Sequence, residues 1–450
     1  MRIVHVSTHG VWGGAAIAAH RLHTGLRSTG QDSTMFVAHR AGEGPGVQTF
    51  VPPRDLGSRL VRSLRRKSLA RELGRYAKSV PAGTEMFSDD RSQHGQAPLR
   101  QMPPCDILHL HWISEFLDCR SLFDWIPRRL PVVWTLHDMN AFTGGCHFDS
   151  GCGKHRGNCG ACPQLGSIKE DDLSRRVWNR RQKAYGSMPL TQLQLVAPCR
   201  WVAEEVRQSA LLGGFPVTVI PHGLDVEAFA PRNRAFARDA LGLPQKAKVL
   251  LFAAHTVSER RKGFSLLVEA LGGLREVPDL FLLGVGRKSA VEQIGIPYRP
   301  LGYISNERLL SIVYSAADLC VIPALQETGP MIAIESLACG TPVVGFPAGD
   351  MPDMVRSGDT GLLVPSGDSM ALREGIRDML ARPERLAEMR IKCRHVAVGE
   401  YSLETLASRH LSLYETMLER NLSRFGKVGR SHGSNDDGAR EEVDREGAAK

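Results

Sequence analysis

Two glutamates separated by seven residues, Glu327 and Glu335, flank the start of a short predicted helix. Pro330 suits the first helical position, with Thr328 or Gly329 as the cap. Glu327 would then precede the helix and Glu335 would lie within it, so the two carboxylates are too far apart to share a proton. They are instead placed to hold hydroxyl groups at opposite ends of one elongated ligand.

The start of this helix is also a predicted anion site. Its first amides, from Met331 to Ala333, have no partner within the helix, and the helix dipole favours negative charge at the same end. The basic pair Arg261-Lys262 precedes another predicted helix and would meet the charge of a phosphate. The pattern indicates a phosphate-bearing ligand, the alternative being a solvated basic loop beside surface glutamates.

Short apolar runs that alternate with helical patterns must position these residues. In the first half the predicted strands are 3–7, 106–111, 131–137 and 194–197. The first of them leads through Trp12-Gly13-Gly14 into a helical pattern from Ala15 to Leu26. Strands that alternate with helices predict a parallel sheet.

The rhythm restarts at 217–221 and continues with predicted strands at 249–253, 280–284, 319–322 and 342–346. We therefore expect an α/β protein with two doubly wound, Rossmann-like domains facing a cleft, 1–213 and 214–400, joined by a hinge at 213–216. A C-terminal helix at 401–425 is predicted to pack back toward the first domain. The polar tail at 426–450 is predicted to be disordered.

The composition is that of a soluble globular protein, and the lack of a secretion signal predicts a cytoplasmic one. The chain has 450 residues, of which 42% are hydrophobic, and no apolar run approaches the roughly 18 to 20 residues of a membrane span. The first residues enter a strand directly, without the three regions of a secretion signal. The net charge of +9 suits anionic nucleotides or a membrane surface, and no motif for nucleic-acid binding accompanies it, so no nucleic-acid partner is expected.

The stretch from Gln326 to Val344, with its Glu-x7-Glu pattern and trailing Ala-Cys-Gly-Thr-Pro-Val-Val, resembles glycosyltransferase family 4, which has the two-domain GT-B architecture. The segment Val219–Asp225 is similar to the family's transition into the second domain. The resemblance implies a retaining glycosyltransferase that uses a nucleotide-sugar donor and requires no metal for catalysis. The diphosphate charge would be stabilised electrostatically.

The resemblance also implies roles for individual residues. Glu327 and His137 would be catalytic and lie close to the transferred sugar, while Glu335 would bind the ribose. Most relatives carry an arginine after the preceding strand, where this chain has Ala253–Ser258, so Arg261 is expected to supply that charge. The expected donor-binding residues are Gly13, Gly14, Arg261, Lys262, Gly329, Pro330, Met331 and Glu335.

Three further residues at strand ends are candidates for the acceptor side. His109 and His111 alternate with leucines, which predicts that both point to one face of the sheet. Asp138 follows His137 at the end of another strand, where open parallel sheets bind ligands. The alternative for the two histidines is a structural role.

Four cysteines, Cys146, Cys152, Cys159 and Cys162, lie within seventeen residues. Four thiolates can enclose a tetrahedral zinc ion, and the Cys-x2-Cys half has a common ligand spacing. We predict a structural zinc site, with disulfides, an iron–sulfur cluster or free thiols as alternatives. Related enzymes with a similar cysteine segment form a subgroup associated with colanic-acid and other exopolysaccharide synthesis.

A basic segment from Arg54 to Lys78 carries leucines at helical spacing. Such a helix can lie on anionic lipid at the inner face of the membrane, or it can pack its leucines on its own domain. The first option fits a lipid-linked acceptor, which many members of the resembled family use.

We therefore expect sugar transfer from a nucleotide sugar to a saccharide acceptor, lipid-linked, in surface polysaccharide synthesis. An epimerase or phosphorylase of similar architecture, or a non-catalytic sugar-binding module, is the alternative. The nucleobase, the sugar and the acceptor depend on pocket shape, which a motif does not encode.

Overall fold

The computed structural model describes residues 1–40, 44–256, 259–287 and 295–426. The tail predicted to be disordered, 426–450, lies outside these ranges except for its first residue. Within the described ranges, no helix has the length and apolar character that a membrane span requires.

The first sheet has seven strands in the order β3-β2-β1-β4-β5-β6-β7, and all neighbours pair in parallel. The strands are β1 (Arg2–His9), β2 (Asp32–His39), β3 (Val47–Thr49), β4 (Ile107–Leu110), β5 (Val132–Thr135), β6 (Leu193–Ala197) and β7 (Val217–Val219). The apolar runs of the central strands β1, β4, β5 and β6 are buried on both faces, as helix-covered parallel strands require.

The second sheet has six parallel strands in the order β10-β9-β8-β11-β12-β13. They are β8 (Lys248–Thr256), β9 (Leu280–Arg287), β10 (Tyr298–Gly302), β11 (Leu319–Ile322), β12 (Val343–Gly345) and β13 (Gly361–Leu363). Two clusters of buried side chains cover its two faces. The prediction of two parallel α/β sheets is confirmed.

The predicted boundary at 213/214 needs a correction. The run after Pro216 was expected to open the second domain, but Val217–Val219 pairs with Leu195–Ala197 and forms the edge of the first sheet. A three-residue strand carries no local signal for the sheet that it joins, because that depends on long-range pairing. The chain therefore leaves the first sheet after Val219.

Thirteen α-helices fill the connections within the described ranges. They are α1 (Gly14–Ser28), α2 (Leu56–Gly74), α3 (Cys119–Trp125), α4 (Leu173–Tyr185), α5 (Arg200–Arg207), α6 (Arg234–Ala240), α7 (Phe264–Gly272), α8 (Glu307–Ala316), α9 (Met331–Ala338), α10 (Met351–Met354), α11 (Ser369–Leu380), α12 (Pro383–Tyr401) and α13 (Leu403–Gly426). Several begin at an Asp or Asn whose side chain accepts a backbone N–H of the first turn, for example Asp172 and Asn306.

The last helix returns to the first sheet. Helix α13 contributes to one buried cluster with side chains of β1, β4, β5 and α1. Its residues in this cluster are Leu406, Ala407, Tyr414 and Met417. Helix α12, by contrast, contributes Cys393 and Tyr401 to the core of the second sheet. The junction near Ser402 therefore joins the two halves of the molecule.

Candidate active site

Helix α9 begins one residue later than predicted. Pro330 is the residue before the helix, and no side chain caps it, so neither Thr328 nor Gly329 has the capping role. The amide of Ala333 donates to the carbonyl of Pro330 at 2.8 Å, so the predicted set of free amides shrinks to Met331 and Ile332. The helix start still lies between the two glutamates of the motif.

Glu327 is buried between two cations. Nη1 of Arg261 lies 2.8 Å from Oε1 of Glu327, and Nζ of Lys262 contacts the same oxygen. Burial raises the pKa of Glu327, but Lys262 and Arg261 lower it by more, so the net shift is downward. The structure thus brings together the residues that the motif and the basic pair predicted.

Gly263 allows this basic turn to approach the second sheet. It has φ +69°, and a Cβ atom at this position would lie 1.7 Å from the carbonyl oxygen of Pro323. The amide of Leu325 also donates to the carbonyl of Arg261 at 2.7 Å. Any side chain at position 263 would therefore force the basic turn away from the backbone at Pro323.

Arg261 connects the two halves of the molecule. It pairs with Glu259 at 2.8 Å and with Glu85 of the first half at 2.9 Å, and its guanidinium lies 4.4 Å from the ring centre of Phe148. The neighbouring Gln326 donates to Asp149 at 2.9 Å. The cysteine segment thus packs directly against the loop that carries Glu327.

Glu335 is engaged inside the protein. Its Oε1 accepts from Nη2 of Arg21 at 2.9 Å, and its Oε2 accepts from the hydroxyl of Tyr314 at 2.9 Å. Burial raises the pKa of Glu335 despite these partners. Both oxygens are occupied in this structure, so a ribose would have to compete with Arg21, a residue that our sequence analysis missed. Its position on the buried stripe of α1, beside Leu22, was the available signal.

His137 lies beside the Glu327 loop. The hydroxyl of Thr328 donates to the carbonyl of His137 at 2.7 Å, and the imidazole stacks on His222 with ring centres 5.3 Å apart. His222 was missed as a site residue, although it follows the end of β7, the edge at which parallel sheets bind ligands. Gly329 faces His222 closely, since a Cβ there would lie 3.1 Å from Cδ2 of that ring.

Asp350 is a third residue that the sequence analysis missed. It is buried, and within the described residues neither carboxylate oxygen has a hydrogen-bond partner. Its Oδ2 lies 3.3 Å from the position that a Cβ of Gly329 would take. Burial, and then the charge of Glu327, raise the pKa of Asp350 well above its usual range. An unpaired polar group of this kind beside the helix start is a candidate ligand contact.

The glycine loop of the first half meets the second half through its tryptophan. Gly13 precedes α1 and Gly14 is its first residue. Trp12 stacks edge-on against His255 at 5.5 Å, and the guanidinium of Arg287 lies 5.9 Å from its ring centre. The loop therefore borders the same cleft as the ends of β8 and β9.

The structure buries two of the three acceptor-side candidates, His109 and His111, and leaves Asp138 half-buried. His109 is fully buried, with its nitrogens 2.7 Å from the hydroxyl of Tyr414 and 2.8 Å from that of Thr135. His111 is buried between two other histidines. Asp138 accepts from His147 at 2.6 Å. The polar atoms of His109 and His111 are already bonded within the fold, which favours the structural alternative for these two residues. The acceptor-side role of Asp138 stays a prediction.

All ten cysteines are free thiols, and the four of the predicted metal site line one pocket with Asp149. Burial raises the pKa of Cys146 well above its usual range, and the charges of Cys159 and Cys162 raise it further. A tetrahedral zinc site needs sulfurs roughly 3.8 Å apart. Within the described residues, no three of these sulfurs lie within 4.8 Å of one another, so the segment would have to contract around an ion.

The architecture defines the class of protein first. Sucrose-phosphate synthase from Thermosynechococcus elongatus superposes with a TM-score of 0.63 at 19% identity, covering 93% of this chain and 100% of that chain. Anabaena Alr3699/HepE in complex with UDP and glucose superposes with a TM-score of 0.60 at 16% identity, covering 92% and 99%. The chain has the two-domain GT-B fold.

Sequence relatives then give the family. The family described as Glycosyl transferases group 1 matches residues 233–396. D-inositol 3-phosphate glycosyltransferase 1 of Catenulispora acidiphila is 31% identical over 53% of this chain and 63% of that protein. The D-inositol 3-phosphate glycosyltransferase of Xylanimonas cellulosilytica is 30% identical over 71% of this chain and 74% of that protein. The chain belongs to the Glycosyl transferases group 1 family.

The length of the match varies among these relatives. The chain spans less than two thirds of the first, and 47% of the D-inositol 3-phosphate glycosyltransferase of Segniliparus rotundus. The family match covers the second sheet and its helices, which carry Glu327, Lys262 and Glu335.

Proposed function

We propose that this chain transfers a sugar from a nucleotide-sugar donor to a saccharide acceptor, with retention of the donor's anomeric configuration. One observation carries the proposal, the burial of Glu327 against Arg261 and Lys262 beside the start of α9. The carboxylate of Glu327 can bind a sugar hydroxyl. Arg261, Lys262 and the positive end of the helix dipole can together bind a diphosphate.

The cations have a defined task in this mechanism. In the ligand-free protein Glu327 pairs with both Lys262 and Arg261, and a donor diphosphate would compete for the same two cations. When the bond to the sugar breaks, negative charge grows on the leaving diphosphate, and preorganised cations stabilise it without further reorganisation. The candidate contacts to the transferred sugar are then Glu327, His137, His222 and Asp350.

The acceptor is the finer part of the proposal. We infer a lipid-linked saccharide in surface polysaccharide synthesis, which the four-cysteine segment and the exposed basic helix support. The relatives' name favours a second candidate, an inositol phosphate acceptor. Incubation of the enzyme and donor with each acceptor class, followed by mass spectrometry of the product, distinguishes the two.

We infer that the protein works in the cytoplasm, peripherally at the inner face of the membrane, through helix α2. Leu56 and Leu60 are 81% and 61% exposed, Val61 and Leu64 are also exposed, and arginines and a lysine surround them. Further along the segment Leu73 and Tyr76 pack on a buried cluster. The first part of the segment is therefore free to contact anionic lipid, and its last part packs on the protein. Membrane contact and packing on the domain, the two alternatives from the sequence, each apply to one part.

The four cysteines support a proposal of structural zinc. Bound zinc would hold the segment that carries Phe148 and Asp149, and through it Arg261 and Gln326, while the reaction itself uses no metal. Metal analysis of the reduced protein tests this, with one zinc per chain expected. Protein without zinc that retains its thermal stability contradicts it.

Thermal stabilisation by the diphosphates of uridine, guanosine and adenosine and by their sugars tests donor binding. The best donor is then incubated with acceptor, and NMR of the product reports the anomeric configuration. Transfer with retention is expected. Epimerised donor would instead indicate an epimerase. Sugar phosphate formed with inorganic phosphate would indicate a phosphorylase, and binding without turnover would indicate a sugar-binding module.

A further inference from the structure

Three histidines form a hydrogen-bonded chain that starts in the core of the first sheet and ends at His137. Nδ1 of His5 lies 3.0 Å from Nε2 of His111, and Nδ1 of His111 lies 2.9 Å from Nε2 of His137. His5 and His111 are buried, whereas His137 is half-buried beside the Glu327 loop. Nε2 of His5 and Nδ1 of His137 are both buried atoms, and within the described residues neither has a hydrogen-bond partner.

All three imidazoles are neutral at physiological pH. Burial lowers the pKa of His5 and His111 well below the usual value, and the charges of neighbouring histidines lower it further. Burial likewise lowers the pKa of His137 to about 4. A neutral imidazole has one N–H and one acceptor nitrogen.

Two internal hydrogen bonds between three neutral rings permit only two proton arrangements. Because His111 uses both nitrogens, it must donate with one and accept with the other. Either every ring carries its proton on Nδ1, and His137 presents an N–H at its free nitrogen, or every ring carries it on Nε2, and His5 holds an unpaired N–H in the core. The tautomer of His111 therefore dictates that of His137.

We propose that His111 is a positioning residue, which holds His137 in the Nδ1–H form so that this ring donates a hydrogen bond to an oxygen of the bound sugar. Each arrangement leaves one buried N–H unpaired in the ligand-free protein, at His5 or at His137. The ring of His137 is half-buried beside the Glu327 loop, where a bound ligand can supply an acceptor, whereas His5 is enclosed in the core. The N–H is therefore assigned to His137 and the unpaired acceptor to His5. The assignment of the sugar as acceptor rests on the proposed function, whereas the tautomer does not.

The three-histidine group His5, His109 and His111 also has ligand atoms within 4.8 Å of one another. A metal ion would have to replace the hydrogen bonds of His109 to Tyr414 and Thr135, as well as the bond between His5 and His111. The hydrogen-bonded chain explains the cluster without such losses.

Side-chain nitrogen NMR of the full chain labelled with ¹⁵N-histidine tests the proposal, with the His137 signals assigned from His137→Gln. The proton of His137 is expected on Nδ1 in the wild type, and His111→Phe is expected to shift it at least partly to Nε2. His111→Asn, whose amide can still donate to His137, should restore Nδ1–H. His109→Gln is the matched control, because His109 is equally buried but outside the chain, and it should leave the His137 signal unchanged.

If transfer activity is found, kcat/KM for the donor should fall about threefold to tenfold in His111→Phe and recover in His111→Asn, as expected for one hydrogen bond. A wild-type His137 protonated on Nε2, or a tautomer unaffected by His111→Phe, overturns the proposal even if the enzyme is active. An inactive chain that shows the expected tautomers would refute the proposed function and leave the histidine chain standing.

Discussion

Nη2 of Arg21 lies 2.9 Å from Oε1 of Glu335, and both side chains are buried. Arg21 belongs to α1 of the first half and Glu335 to α9 of the second, so this ion pair ties the two halves together beside the candidate donor site. Arg21 also reaches Glu307 of α8 at 2.7 Å. One guanidinium thus holds two carboxylates from the opposite half.

Arg21→Met should destabilise the protein by about 3 to 5 kcal/mol, because it leaves the carboxylate of Glu335 buried and unpaired. Adding Glu335→Gln should recover part of that loss, since the remaining amide carries no charge. Chemical denaturation measures both. Arg2→Met is the control, because Arg2 pairs with Asp106 at a similar 2.8 Å but is exposed, and its loss should have a much smaller effect. Equal effects at positions 2 and 21 would contradict this view of the ion pair.

Glu327→Gln should separate donor binding from turnover. The substitution removes one negative charge that pairs with Arg261 and Lys262, so the affinity for a nucleoside diphosphate should be unchanged or higher. Turnover should nevertheless fall by about 100-fold or more, as for loss of a charged group at the reacting centre. Calorimetry and initial rates measure the two quantities. Glu259→Gln removes a different carboxylate from Arg261 and should retain turnover. Normal turnover in Glu327→Gln protein would exclude the assigned role.

Asp350→Asn should stabilise the ligand-free protein at neutral pH, by about 1 to 3 kcal/mol. The pKa of Asp350 is raised in the folded state by burial, so its favourable contribution exists below the unfolded pKa and is lost as the pH rises through the folded value. The stabilisation by asparagine should therefore disappear near pH 4. Unfolding experiments from pH 4 to 8 test this. Asp353→Asn, which only breaks a partly exposed pair with Arg200, should give no gain at any pH.

The buried histidines should make the protein acid-sensitive. Burial lowers the pKa of His23, His137 and His410 to about 4, so below pH 6.5 the unfolded chain binds more protons than the folded one. Stability is then full above pH 6.5 and falls toward pH 4, by about 1.4 kcal/mol per pH unit for each histidine. His410→Gln should flatten this slope by one such increment, while the same change at exposed His395 should not. A stability independent of pH between 4 and 6.5 would contradict the prediction.

The sequence was sufficient for features that depend on local pattern. Buried apolar runs predicted the central strands of both sheets, whereas β2, β3, β10 and β13 were not predicted. The spacing of Glu327, Lys262 and the α9 segment predicted a shared site. Arg21 and Glu335 are separated by 314 positions, and only the packing of the two halves brings them together. The same holds for the histidine chain. Alternation in β4 predicts the face to which His109 and His111 point, but not that α13 covers that face with Tyr414.

Helix α2 should bind vesicles that contain anionic lipid, and Leu60→Glu with Leu64→Glu should abolish that binding. Each exposed leucine that enters the interface contributes about 1.5 to 3 kcal/mol, so the double change should weaken binding by 100-fold or more. Binding should also weaken with salt, because the surrounding arginines attract the lipid headgroups electrostatically. Co-sedimentation with anionic and with zwitterionic vesicles measures it. Ile391→Glu changes an equally exposed apolar residue on α12 and should have no effect. Wild-type protein that stays in solution with anionic vesicles at low salt would exclude this surface as a membrane contact, and the exposed leucines would then need another partner.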